Sequence, residues 1–395
     1  FISVLLFFLG SGIWVALSMI GVSAIGMMLF TSRPVGDAMA TTIWGTASSW
    51  TLTALPLFVW MGEILFRTKL SENLFKGLSP WMQKLPGGLI HVNVVGCALF
   101  AAISGSSAAT VATVGKMSIP ELRKRNYPEK ILLGSLAGSG TLGLLIPPSI
   151  ILIIYGVAVQ ESIAKLFIAG IIPGIMIALI FMSYVIIWSL INKKEMPKIL
   201  EEYSFLEKIK RSKQLLPVIL LISAVIGSIY TGVATATEAA SLGVVGALIL
   251  SYFQKSLTLE TFKSSLLGAT KTSCMIAFIL AGSTFLSLAM GFTGLPRNLA
   301  IWIQGMELSP YVLILVLMIF YIILGMFLDG ISAVVLTMAI IEPMIRQAGF
   351  DMIWFGIFLV IVVEMAQITP PVGFNLFVLQ GMANKDMGYI ARSAF

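Results

Sequence analysis

The groups able to do chemistry in this chain are hydroxyls, amides and one carboxylate, set where small polar residues interrupt long apolar runs. The first interruption is Ser104-Gly105-Ser106-Ser107, followed further on by Gly140-Thr141-Leu142-Gly143-Leu144-Leu145-Ile146-Pro147-Pro148-Ser149. The second is Leu328-Asp329-Gly330, followed by Gln367-Ile368-Thr369-Pro370-Pro371. In a bilayer, non-helical backbone survives only when buried in protein or lining a polar cavity. Broken helix ends present unpaired carbonyls that suit a cation and unpaired amides that suit an anion. Ser104, Ser106, Ser107, Thr141, Thr369 and Asn375 add neutral oxygens, the ligand type a hard cation such as Na⁺ takes. For any one serine, a hydrogen bond back to a nearby carbonyl is an equally good account. The four breaks together favour an ion site. Asp329 is a carboxylate at membrane depth, which costs ~3 kcal/mol or more and marks ion or proton pathways. Glu63 and Glu364 also sit in apolar runs and read as structural hydrogen bonds or ion pairs to neighbouring helices. Glu238, at the small-residue start of a span, reads as a helix cap.

The elements that must hold these groups are membrane helices. Of the 395 residues, 58% are hydrophobic and 11% charged, with mean hydropathy +0.99, which excludes a soluble domain. Repeated apolar runs near the ~20 residues that cross a bilayer make an all-α polytopic membrane protein. The net charge of +7 is scattered between spans, as topology determinants are, and is no nucleic-acid footprint. Cys97 and Cys274 lie far apart in apolar context, and His91 is the single histidine, so no disulfide framework or zinc site is indicated. The opening stretch, Phe1 to Phe30, lacks a basic n-region and a cleavage site and reads as a retained membrane segment; Gly10-Ser11-Gly12 is a candidate break, which leaves one crossing or two open. Trp14, Trp44, Trp50, Trp60 and Trp81 read as interfacial belts.

Residues 1–84 form N-terminal helices, including a strong span over Ile43–Phe66. Residues 85–163 hold a re-entrant hairpin (89–119), with basic flanks on the cytoplasmic side, and a broken helix (131–158). Residues 164–305 are further helices, with a polar connector (192–213) that reads as an amphipathic surface helix. Residues 306–395 hold a second hairpin (308–346), opening outward, and a second broken helix (352–381). Lys69, Lys198, Glu201 and Glu202 belong to the charged connections.

These halves repeat at one constant offset. The step from Pro120 to Pro343 equals the step from Pro147 to Pro370 and the step from Tyr127 to Phe350. The same offset sets Ser106 on Asp329. Basic flanks surround the first hairpin and thin out around the second, so the copies are inverted. Inverted repeats with broken helices meeting at the midplane are the signature of secondary transporters.

Pro56-Leu57-Phe58 with Met61-Gly62-Glu63, Pro86-Gly87-Gly88-Leu89, Ser104 to Thr110, Gly140 to Ser149, Thr237-Glu238-Ala239-Ala240 and Thr369-Pro370-Pro371-Val372-Gly373 together resemble the large membrane subunit of tripartite ATP-independent periplasmic (TRAP) transporters. The resemblance covers nearly the whole chain. It implies a sodium-coupled elevator importer of an organic acid in the bacterial inner membrane. The implied partners are a small four-helix membrane subunit, expected as a separate polypeptide, and a periplasmic substrate-binding protein. One sodium site would use Ser104, Ser106, Gly143, Ile146 and Pro148, and the repeat proposes its mate at Phe327, Asp329, Ala366, Thr369 and Pro371. Substrate would lie near Ser106, Ser107, Asp329 and Asn375. The alternatives are a stand-alone sodium- or proton-coupled anion symporter and, remotely, an intramembrane aspartyl protease, which needs a second carboxylate in the same site.

Overall fold

The computed structural model describes residues 2–67, 70–197, 203–213, 215–294, 298, 309–371 and 373–394. Lys69, Lys198, Glu201, Glu202, Val372, the boundary at 305–306 and the second hairpin's start at 308 lie outside the described residues. Among the described residues the secondary structure is helical, with no strand, which keeps backbone hydrogen bonds within each segment as a bilayer requires. Ile163–Ile191, Ala236–Phe253 and Leu259–Thr293 are long and apolar enough to cross a membrane as single helices.

The candidate break in the opening stretch is present, and one expectation changes. The opening stretch forms two helices, Ile2–Gly10 and Val15–Phe30, parted at Gly12, where φ is +82°. The span expected over Ile43–Phe66 is bent by 52° between Val35–Ala47 and Trp50–Phe66. Its cause is local. The Ser48 hydroxyl donates to the Trp44 carbonyl (2.7 Å), and Pro56, in the first turn of Ala54–Phe66, has no N–H to continue the helix upstream. The connector carries a short helix, Phe205–Ser212, started by a Ser204/Glu207 capping box. It docks on Leu70–Met82, where Trp81 Nε1 donates to Ser212 Oγ (2.7 Å). Trp81 therefore packs against the connector.

The repeat is visible in the helix bounds. The hairpin arms Ser107–Lys124 and Gly330–Gln347 start and end at the offset that relates the double prolines. Glu129–Leu145 with Ile150–Ala158 is matched by Met352–Gln367 with Phe374–Ala383, and both double prolines are cis. The copies interlock. Ser107–Lys124 packs on Phe374–Ala383, and Gly330–Gln347 packs on Ile150–Ala158. An arginine seals each junction: Arg123 donates to the Ala383 carbonyl (2.7 Å), and Arg346, its repeat equivalent, donates to the Val159 carbonyl (2.9 Å). Each cation satisfies a carbonyl at the C-terminal end of the other copy's helix. Tyr155 adds a buried bond to the Met352 carbonyl (2.6 Å).

Candidate functional site

Both hairpin tips meet one cavity of about 1280 Å³. The first tip contributes Ser104, Ser106 and Ser107, and the second contributes Asp329 to Ser332, with Gln367 beside it. The wall also includes Glu63 of Ala54–Phe66 and a stripe of Leu259–Thr293 carrying Lys271, Cys274, Met275 and Phe278.

Two glycines let the first tip close on the first break. Ile90–Ser104 ends at Gly105 in the left-handed region (φ +57°), where a Cβ would come 2.9 Å from the Pro148 carbonyl oxygen. Ile150 N donates to the Gly105 carbonyl (3.3 Å), stitching tip to break. A Cβ on Gly143 would lie 2.6 Å from the Ser106 carbonyl oxygen. Ser104, Ser106, Gly143 and Pro148 are thus brought together, while Ile146 lies in the extended backbone leading into the prolines. Ser106 caps Ser107–Lys124, its hydroxyl accepting from Ala109 N (3.5 Å). The Ser106 carbonyl gathers donors from Thr110 N (3.0 Å), Thr110 Oγ1 (2.8 Å) and Ser104 Oγ (3.2 Å).

The second tip repeats the plan with different chemistry. Asp329 caps Gly330–Gln347, accepting from Ser332 N (3.1 Å), as Ser106 does in the first copy. Its carboxylate is exposed to the cavity. Gly325 lets this hairpin approach Ala366, whose Cβ would stand 2.6 Å from a Cβ there. The Ala366 carbonyl accepts from Thr369 N (3.0 Å). The Phe327 side chain is exposed, and Pro370 and Pro371 are exposed where Pro147 and Pro148 are buried. The second break is the more open of the two.

Several hydroxyls are already committed. Thr141 Oγ1 donates to the Gly138 carbonyl (2.6 Å) and Thr369 Oγ1 to the Met365 carbonyl (2.7 Å), each within its own helix. Asn375 is fully buried and does not line the cavity; among the described residues neither of its amide atoms has a partner, and a Cβ on Gly140 would be 3.9 Å from its Nδ2. The three acids read as structural divide. Glu63 pairs with Arg67 (2.9 Å), and Glu238 closes a capping box with Thr235 (2.8 Å). Glu364 is buried and bonds to a neighbouring helix as expected, but its partner belongs to the site: Ser107 Oγ donates to Glu364 Oε1 at 2.5 Å. Glu364 Oε2 has no partner among the described residues. A carboxyl group from the second broken helix therefore holds the first hairpin tip. The sequence signal for it is an acid in an apolar run; its spatial partner carries no signal.

Over residues 2–394 the chain matches the family described as tripartite ATP-independent periplasmic transporter, DctM component. It is 33% identical to the C4-dicarboxylate TRAP transporter large permease protein DctM of Pseudomonas aeruginosa, covering 94% of this chain and 86% of that one. It is 31% identical to the sialic acid TRAP transporter large permease protein SiaM of Vibrio cholerae, over 93% and 86%. Its fold resembles the crystal structure of the Alcanivorax borkumensis YdaH transporter (TM-score 0.66, 12% identity, 96% of this chain and 93% of that one).

Proposed function

The chain belongs to the DctM-component family of tripartite ATP-independent periplasmic transporters, and from that premise we propose that it is the permease subunit of a sodium-coupled importer of an organic acid. The observation that carries this reading is the paired caps: Ser106 and Asp329 hold equivalent positions in the two copies and face one cavity. One Na⁺ is carried at Ser104, Ser106, Gly143, Ile146 and Pro148, largely on backbone carbonyls. A second is carried at Phe327, Asp329, Ala366, Thr369 and Pro371, with Asp329 supplying charge. The cargo binds near Ser106, Ser107, Asp329 and Asn375. The relatives named for C4-dicarboxylates and for sialic acid support a carboxylate cargo. The two repeats, 85–163 and 306–395, move as one body against 1–84 and 164–305, in an elevator motion across the bacterial inner membrane. A small four-helix membrane subunit and a periplasmic binding protein complete the system.

The test is uptake of radiolabelled succinate and N-acetylneuraminate into proteoliposomes holding this chain, its small subunit and its binding protein. Uptake should require an inward sodium gradient and the binding protein. Ser106→Ala and Asp329→Ala should each abolish it while leaving the elution profile of the purified protein unchanged. Undiminished, equally sodium-dependent uptake in both variants would overturn the site, and uptake without the binding protein would favour a stand-alone symporter.

A further inference from the structure

Among the described residues, Lys271 is the one basic side chain on the wall of the cavity. It lies well into Leu259–Thr293, about 18 Å along a helix that rises about 1.5 Å per residue. An ammonium that lines a cavity between membrane helices without a partner marks a counter-ion or a pathway. Among the described residues Lys271 has neither a hydrogen-bond nor an ion-pair partner, although it is exposed to the cavity. Its position follows the helix period. Lys271, Cys274, Met275 and Phe278 form a single face, and all four line the cavity.

The other charges on the wall are Glu63, paired with Arg67 at 2.9 Å, and Asp329 at the second tip, where its carboxylate caps a helix. Among the described residues Asp329 and Lys271 are therefore the two wall charges without an ion-pair partner, and Lys271 is the positive one. It also stands on a helix outside both repeats, on the wall of the cavity that their tips share.

We propose that Lys271 receives a carboxylate of the cargo, binding it from a cavity wall that lies outside the two repeats. The inference rests on the organic-acid reading above and adds to it the side chain that selects for negative charge. A cargo held by both Lys271 and the tips bridges the repeats and the surrounding helices.

The chain supplies its own reporter. Cys274 is exposed on the same face one turn away, and Cys97 is buried. In the reconstituted three-part system, wild type, Lys271→Gln and Lys271→Arg are compared by two readouts. In the first, Cys274 is modified with a negatively and a positively charged methanethiosulfonate. The anionic-to-cationic rate ratio should fall severalfold in Lys271→Gln and be held in Lys271→Arg, which also shows that the variants keep the cavity. In the second, the KM for succinate or N-acetylneuraminate should rise about tenfold or more in Lys271→Gln, with a much smaller change in kcat and partial rescue by arginine. An unchanged rate ratio, or a wild-type KM in Lys271→Gln, overturns the role of Lys271 and leaves the transport reading standing. Failure of the wild type to take up either carboxylate on a sodium gradient overturns both.

Discussion

At the scale of single residues, Glu364 is the group whose environment demands most. One carboxyl oxygen takes a 2.5 Å hydrogen bond from Ser107 and the other has no partner among the described residues, in a site that is nearly fully buried. Burying an ionised carboxylate without compensation is far costlier than burying a neutral one that hydrogen-bonds. Glu364→Gln preserves the shape and the acceptor for Ser107 without the charge, so it should keep uptake within about threefold of wild type. Glu364→Ala removes the acceptor and strands the Ser107 hydroxyl, which typically costs about 1–3 kcal/mol. It should lower the melting temperature and cut sodium-driven uptake about tenfold; equal loss in both variants would mean that the negative charge itself is needed. The sequence marked Ser106, Ser107 and Asp329 because they interrupt apolar runs, and the repeat paired Ser106 with Asp329. It could not pair Glu364 with Ser107, 257 residues away, because no local pattern records a contact between two copies. Nor could it say that Asn375 is buried away from the cavity lining, since polarity alone does not say which neighbours a side chain meets.

At the scale of elements, the close approach of tip and break depends on backbone space. Gly143 lies against the Ser106 carbonyl and the Ser107 Cα, each 2.6 Å from where its Cβ would stand. Backbone on both sides leaves nothing soft to yield. Gly143→Ala should push the first tip off its break and raise the sodium concentration for half-maximal uptake severalfold, measured on a protein whose helical circular dichroism is unchanged. The second copy already carries Ala366 at the matching position and a more exposed proline break, so the two sites should differ in sodium affinity. The hairpins and broken helices were legible because glycine, serine and proline are conspicuous in apolar sequence. The bend at Ser48 was not, since a hydroxyl returned to the preceding turn, as Ser48 returns its own to Trp44, is found in straight and bent helices alike. The surface helix of the connector was readable from its charge pattern, but its docking on Trp81 is tertiary.

At the scale of the whole molecule, the two copies are tied to each other more firmly than their order in the chain suggests. Arg123 and Arg346 each close a helix of the other copy, and Tyr155 and Glu364 add buried bonds across the same junction. Contacts to the surrounding helices are of another kind. A Cβ on Gly62 would meet the Ile103 carbonyl at 2.8 Å, and Ser283 Oγ donates to the Val335 carbonyl at 2.6 Å, so these surfaces touch here through backbone and hydroxyl rather than through charge. Under the elevator proposal the two copies slide as a unit, whereas separate movement of the copies would break the arginine caps. Paired cysteines distinguish the two cases. In a Cys274→Ser background, cross-linking Ser283→Cys to Val335→Cys fixes a repeat to its surroundings and should arrest uptake until reductant is added. Cross-linking Gly115→Cys to Met382→Cys with a short bifunctional thiol reagent joins the two copies, since a Cβ on Gly115 would lie 3.1 Å from the Met382 Cε. Uptake should then persist at more than about half the uncross-linked rate, because a link inside a rigid body restricts no motion that the cycle requires. If the second link also stops uptake, the copies move against each other and the single-body elevator is wrong.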